Sequence, residues 1–213
     1  MKEFNKFVNA LSGSLKNLPG FEAQLKMAPI TRINDLKNYP VGKSPRKSAV
    51  LILIYPDKGN IKTVLMERAS DNTVHSGQIS FPGGKFENSD KSLEQTALRE
   101  ANEEIGIDTE TITILGPLTK LYIPPSNFDV FPFVGYTYQK PVFKINAEVK
   151  SILEVDIQTL INPATLINKT IEHRTGKIVD VPCFFVGGHI IWGATSMIIS
   201  ELLEVISFSE NNL

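Results

Sequence analysis

Hydrophobic positions along the chain change their period several times, and each change marks an element. In residues 3–17, Phe4, Phe7, Val8, Leu11 and Leu15 recur at spacings of three and four. That spacing predicts an amphipathic helix packed on the main domain, with a membrane-binding or partner-binding helix as the alternative. Residues 18–46 carry Pro19, Pro29, Pro40 and Pro45 and read as an irregular connector with at most a short helix. From Ala49 the run "AVLILIYP" is continuously β-branched and aliphatic, as in a strand buried on both faces. "DKGN" then supplies a turn, and "IKTVLMER" is its hairpin partner.

Further on, "TITILGPLTKLYI" and "FDVFPFVGYTY" predict two strands joined by the loop Pro124-Pro125-Ser126-Asn127. "SILEVD" predicts a strand leading into a short helix at 156–161. Residues 166–174 and 178–186 pair around Thr175-Gly176-Lys177. In the tail, Ile191, Ala194, Ile198, Leu202 and Val205 predict a closing helix over 189–207. Several strands, a central helix, more strands and a final helix specify an α/β fold with a mixed sheet and helices on its faces, not the strict alternation of a parallel doubly wound fold.

The central helix carries the unusual chemistry. Its apolar stripe is Leu93, Ala97, Leu98, Ala101 and Ile105. Asp90 stands where an N-cap is expected and Gly106 where a helix stops. At about 100° per residue, Glu104 and Glu100 fall roughly 60° and 100° from the stripe's centre, while Glu103 points outward near 160°. Two acids at i and i+4 repel by about 0.2–0.5 kcal/mol, and acids near a helix C-terminus also oppose the dipole. A hard divalent cation, Mg²⁺ or Mn²⁺, would reverse both penalties. The alternative is a solvated acidic face neutralised by Arg99 and nearby lysines. Just upstream, Gly83 and Gly84 permit close backbone approach to a metal-bound phosphate, or a simple turn.

Composition bounds the rest. The 213 residues are 42% hydrophobic and 21% charged, which is ordinary globular composition and long enough for a core without staples. A net charge of −1 offers no broad basic field for nucleic acid or an anionic membrane, so no such partner is expected. The single cysteine, Cys183, fits a reducing compartment and reads as a small buried hydrophobe. With no apolar leader at the N-terminus and no run of about 18 apolar residues, a cytoplasmic location is expected.

The order of Phe81-Pro82-Gly83-Gly84, an acidic loop and Arg99-Glu100-Ala101-Asn102-Glu103-Glu104-Ile105-Gly106-Ile107 resembles the signature box of the Nudix hydrolase superfamily. The second half matches closely. In the first half Asp90 stands for the expected glutamate, with eight residues instead of seven before Arg99. This one-residue extension is similar to the coenzyme A diphosphatase branch. So are Val64-Leu65-Met66-Glu67-Arg68-Ala69, His75-Ser76-Gly77-Gln78 and the "IWGATSMII" segment at 191–199, with Glu67 replacing the branch's small polar residue.

The resemblance implies an α/β/α sandwich over 46–213, with residues 1–45 as an N-terminal helical extension and connector. It further implies metal-dependent cleavage of coenzyme A or its derivatives to 3′,5′-ADP and 4′-phosphopantetheine. The competing readings are the same chemistry on another nucleoside diphosphate derivative such as ADP-ribose, or a nucleotide-binding domain without catalysis. By the resemblance, Glu100 and Glu104 would hold the metal, assisted by Glu103 and the Gly84 carbonyl, and Arg99 would orient the glutamates. Glu148 is the candidate base or distal ligand, with Glu154 as its alternative. His75, Gln78 and Ser80 would contact substrate phosphate, and Arg68 and Lys85 would meet a 3′-phosphate. A second copy of the chain is a further candidate partner, through the N-terminal extension.

Overall fold

A computed structural model describes residues 1–29, 44–69, 77–124, 126–172 and 178–210, and a long central strand organises it. Along β1 (Arg46–Asp57), Ala49, Leu51, Leu53 and Tyr55 enter one apolar cluster, and Ile52 and Ile54 enter another. The uninterrupted hydrophobic run thus reflects burial on both faces. Lys58 and Gly59 turn the chain with φ of 50° and 87°, the positive values that two-residue hairpins require. They lead into antiparallel β2 (Asn60–Arg68).

Past this turn, residues 79–85 wedge between the two strands. β3 (Ile79–Ser80) pairs with β2, and β4 (Gly83–Lys85) pairs with β1. The opposite side of β1 involves β5 (Thr113–Pro117), β6 (Leu121–Ile123) and β7 (Phe128–Tyr136). β1 runs parallel to β7, which carries β5 and β6 antiparallel to itself. β8 (Val149–Asp156) completes the sheet beside β2. A separate antiparallel sheet holds β9 (Leu166–Glu172), β10 (Ile178–Val186) and β11 (His189–Ile191).

Helices cover both faces of the main sheet. α1 (Lys2–Ser14) and α2 (Phe21–Leu25) come first in the chain. α3 (Leu93–Ile105) lies on one face, sharing Ala97, Ala101 and Ile105 with the odd-numbered residues of β1. α4 (Ile157–Ile161) follows β8, and α5 (Ala194–Glu210) closes the described chain. Phe4, Val8 and Leu11 of α1 and Ile198, Leu202 and Val205 of α5 belong to the cluster on the other face. The architecture is therefore an α/β/α sandwich around a mixed sheet, as the sequence specifies. No helix among the described residues is long and apolar enough to cross a membrane.

Three local expectations are corrected. The segment 111–123 is not one strand: it breaks at residues 118–120, where the Thr119 N–H leaves the ladder and donates to the Glu201 carboxylate at 3.2 Å. That carboxylate is fully buried and also accepts from Gln24 Nε2 at 2.7 Å. The closing helix begins at Ala194, because Ile191 pairs with Phe184 in β11 and Gly193 turns the chain at φ 67°. Finally, Ser92 is the N-cap of α3, its Oγ accepting from the Gln95 N–H at 3.1 Å; Asp90 has another task, described below. Residues 30–43 and the turn at Thr175-Gly176-Lys177 lie outside the described residues.

Gly106 ends α3 in the left-handed conformation, with φ 68°, and a Cβ there would stand 2.7 Å from the Lys144 carbonyl oxygen. Conformation and contact therefore both demand glycine. Gly106→Ala should destabilise the fold by roughly 1–3 kcal/mol in urea unfolding. An unchanged midpoint would mean that the 144–146 segment gives way without cost.

Candidate active site

The site grows from the glycine pair of β4. Gly84 lies opposite Ala49 on β1 and faces α3. A Cβ on Gly84 would overlap the carboxylate of Glu100, so the glutamate occupies the space a side chain would take. Gly83 is pressed against the Ala49 carbonyl and Val50. Its N–H donates to Glu104 Oε2 at 2.8 Å. The bare backbone thus lets α3 lie against the sheet with its acids at the sheet's end.

The three glutamates of the helix are sorted by depth. Glu104 is 2% exposed, whereas the side chains of Glu100 and Glu103 are 16% and 54% exposed. Burial, opposed by the Gly83 N–H and by Arg68, pushes the Glu104 carboxyl up to about 7, with Glu100 and Glu148 adding repulsion. Glu100 is also raised, by burial first, while Arg99 opposes and Glu103 and Glu148 reinforce the shift. Arg68 Nη1 sits 3.4 Å from Glu104 Oε1.

Arg99 is a bracket. Its Nε and Nη2 donate to the two oxygens of Asp90 at 2.8 and 3.1 Å, and Nη2 also donates to the Lys85 carbonyl at 3.1 Å. The guanidinium stands 3.1 Å from Glu100 and 3.2 Å from Glu103. Asp90, itself buried, further accepts from the Glu87 N–H and the Thr96 hydroxyl. The Arg99 hydrogen bonds hold its carboxyl well below the usual carboxylate range. Asp90 therefore anchors the arginine that spaces the glutamates.

Arg99 and the three glutamates line a cleft of about 450 Å³. Of the residues predicted from sequence, Arg68, Gly84, Lys85, Arg99, Glu100, Glu103, Glu104 and Glu148 line it. Glu148 stands exposed just before β8. Gln78 and Ser80 do not line it: the Gln78 carbonyl accepts from the Arg68 N–H, and Ser80 pairs with Met66. Glu154 is elsewhere, bonded to the Tyr55 hydroxyl and Lys140. His75 lies outside the described residues. Sequence reasoning missed the far wall, formed by Ser48, Ile123, Ser126, Phe128 and Val130. Only strand register could have found it, because β1 and β7 are distant in sequence.

The donor set suits a hard divalent cation. Several carboxylate oxygens face one cleft, burial and then neighbouring acids raise the Glu100 and Glu104 carboxyls, and Gly84 leaves the Glu100 carboxylate room against the backbone. Among the described residues, no three acidic, imidazole or thiolate groups are drawn around a single point. Arg68, Arg99 and the Gly83 N–H hold the carboxylates instead.

A family model described as NUDIX domain matches residues 45–178. The chain is 34% identical over 166 residues to an uncharacterized Nudix hydrolase, NudL, of Yersinia pestis (strain Pestoides F), covering 76% of this chain and 80% of that protein. It is 30% identical over 174 residues to Nudix hydrolase 22, chloroplastic, of Arabidopsis thaliana, covering 78% of this chain. It spans 57% of that plant protein's length. Among solved structures, a MutT/nudix family protein from Enterococcus faecalis shares the fold at a TM-score of 0.52 and 16% identity. That likeness covers 84% of this chain and 70% of the other.

The Asp90–Arg99 bracket makes a pH-dependent prediction. A carboxyl with a depressed folded-state pKa stabilises the fold above its unfolded pKa, near 4, and loses that contribution as pH falls through the folded value. Asp90→Asn should cost roughly 1.5–3 kcal/mol at pH 7 by urea unfolding. The gap between variant and wild type should narrow as the pH drops below about 4. An equal gap at pH 7 and well below pH 4 would contradict this role.

Proposed function

The chain belongs to the Nudix hydrolase family, and on that premise we propose that it is a metal-dependent pyrophosphate hydrolase of coenzyme A or its derivatives. One observation carries the chemistry: Glu100, Glu103, Glu104 and Glu148 face a single cleft together with Arg68 and Arg99. The coenzyme A class is supported by the extended spacing between Asp90 and Arg99 and by the segment running from Val64 to Gly84. The products would be 3′,5′-ADP and 4′-phosphopantetheine.

Glu100, Glu104 and Glu103, with the Gly84 carbonyl, would hold Mg²⁺ or Mn²⁺. Such an ion, when bound, neutralises phosphate charge and acidifies a water. The chain's own groups supply the rest. Glu104 is fixed by the Gly83 N–H, and Arg99 keeps Glu100 and Glu103 apart from below. Arg68, standing against Glu104, gives positive charge to the phosphate chain, and Lys85 meets the 3′-phosphate. In hydrolysis a water oxygen bonds to phosphorus while the anhydride oxygen departs with its electron pair. Glu148, exposed at the cleft rim, takes the proton released by that water.

The test is product identification after incubation with Mg²⁺ or Mn²⁺ and coenzyme A, ADP-ribose or a nucleoside triphosphate. Cleavage of coenzyme A to the two named products is expected. Cleavage of ADP-ribose alone would overturn the substrate class, and no cleavage of any of them would favour a binding domain. Glu104→Gln keeps an acceptor for the Gly83 N–H, so the fold should survive by circular dichroism. Turnover should fall by more than about 100-fold, beyond what the loss of a group that merely supports a metal-holding residue produces. The thermal stabilisation that Mn²⁺ gives the wild type should shrink in the same variant. Near-normal turnover with an intact metal-induced shift would sink the metal assignment.

A further inference from the structure

The wall opposite the carboxylates has its own chemistry. Strand register puts Arg46 beside Phe128 and Ser48 beside Val130, while Lys85 of β4 lies opposite Ser48 from the other side. Arg46 and Ser48 are two residues apart on one strand, so all five side chains share a single sheet face at the end of β1. Arg46 and Lys85 are diagonal neighbours of like charge, an arrangement that disfavours itself. Among the described residues no carboxylate pairs with either.

Arg46 is nevertheless pinned. Its guanidinium lies 4.1 Å from the centre of the Phe128 ring, and Nη2 donates to the Ser126 carbonyl at 3.0 Å. Stacking and one hydrogen bond hold the planar group while its remaining donors meet no partner among the described residues. Beside it, the Ser126 hydroxyl is shielded from solvent and has no partner among the described residues. Ser126 and Phe128 both line the cleft. A freely solvated surface arginine needs neither a ring beneath it nor an unmet hydroxyl at its side.

We propose that Arg46, Lys85 and the Ser126 hydroxyl form a subsite for a phosphomonoester: the second phosphate of a nucleotide whose anhydride faces the glutamates. Under the function proposed above, on which this assignment rests, that group is the 3′-phosphate of the coenzyme A nucleotide. Arg46 supplies a forked donor pair to two phosphate oxygens, Lys85 a point charge, and Ser126 a further donor. Phe128 serves by fixing the plane of the guanidinium.

The test compares 3′,5′-ADP with 5′-AMP by calorimetric titration of the full chain without added metal. Wild type should bind 3′,5′-ADP at least about tenfold more tightly, as expected of one charge-assisted contact. Arg46→Met keeps an apolar stem over Phe128 and should erase most of that preference. Residual 5′-AMP binding in the variant reports a folded cleft. Equal affinities in wild type, or a preference that Arg46→Met leaves intact, would overturn the subsite. Failure of wild type to cleave coenzyme A despite a preference for 3′,5′-ADP that Arg46→Met erases would overturn the substrate reading and leave the subsite standing.

Discussion

Two residues without side chains set the geometry of this molecule. β4 can lie beside β1 and beneath α3 only because position 84 has no Cβ to meet Glu100 and position 83 has none to meet the Ala49 carbonyl. That thinness sets how closely the acidic helix approaches the sheet. It also turns the Gly83 N–H toward Glu104, giving a buried carboxylate one fixed donor. Any side chain here would push α3 outward and separate the acids from the cleft they line.

Electrostatics then follow from burial more than from crowding. Repulsion between acids one turn apart is worth a few tenths of a kcal/mol on an exposed helix. The larger effect at Glu104 is the removal of water, with the neighbouring acids adding less. The bracket of Asp90 and Arg99 works in the opposite direction. It places a permanent positive charge between Glu100 and Glu103 and binds that charge to a buried carboxylate. The cleft therefore holds a dense acidic group without collapse, because one arginine is committed to spacing it.

Much of this was legible in the chain, where local period and contact coincide. The continuous run of β1, the Lys58-Gly59 hairpin, the phase of α3 and its stop at Gly106 depend on neighbours within a few residues. The angular placement of the glutamates also ranked them correctly, with Glu103 outermost. It could not reveal that Glu104 is fully covered, because the cover is β4, wedged in by pairing with β1. Asp90 suited an N-cap by position and was displaced by Ser92, since a bidentate arginine nine residues on is a stronger partner. The break in 111–123 was invisible for a similar reason. The partner of the Thr119 N–H is Glu201, eighty-two residues away.

The same division separates reaction from substrate. The acidic wall comes almost wholly from residues 83–104, a stretch short enough for its spacing to encode its geometry. The facing wall is assembled by the parallel register of β1 with β7, which brings Arg46 to Phe128 across eighty-two positions. Nothing in the spacing of the glycine–glutamate box constrains that register. A chain can therefore keep the acidic wall unchanged while its strand ends are altered. The acidic wall is set by local sequence and the facing wall by topology, so the glycine–glutamate box constrains the first far more sharply than the second.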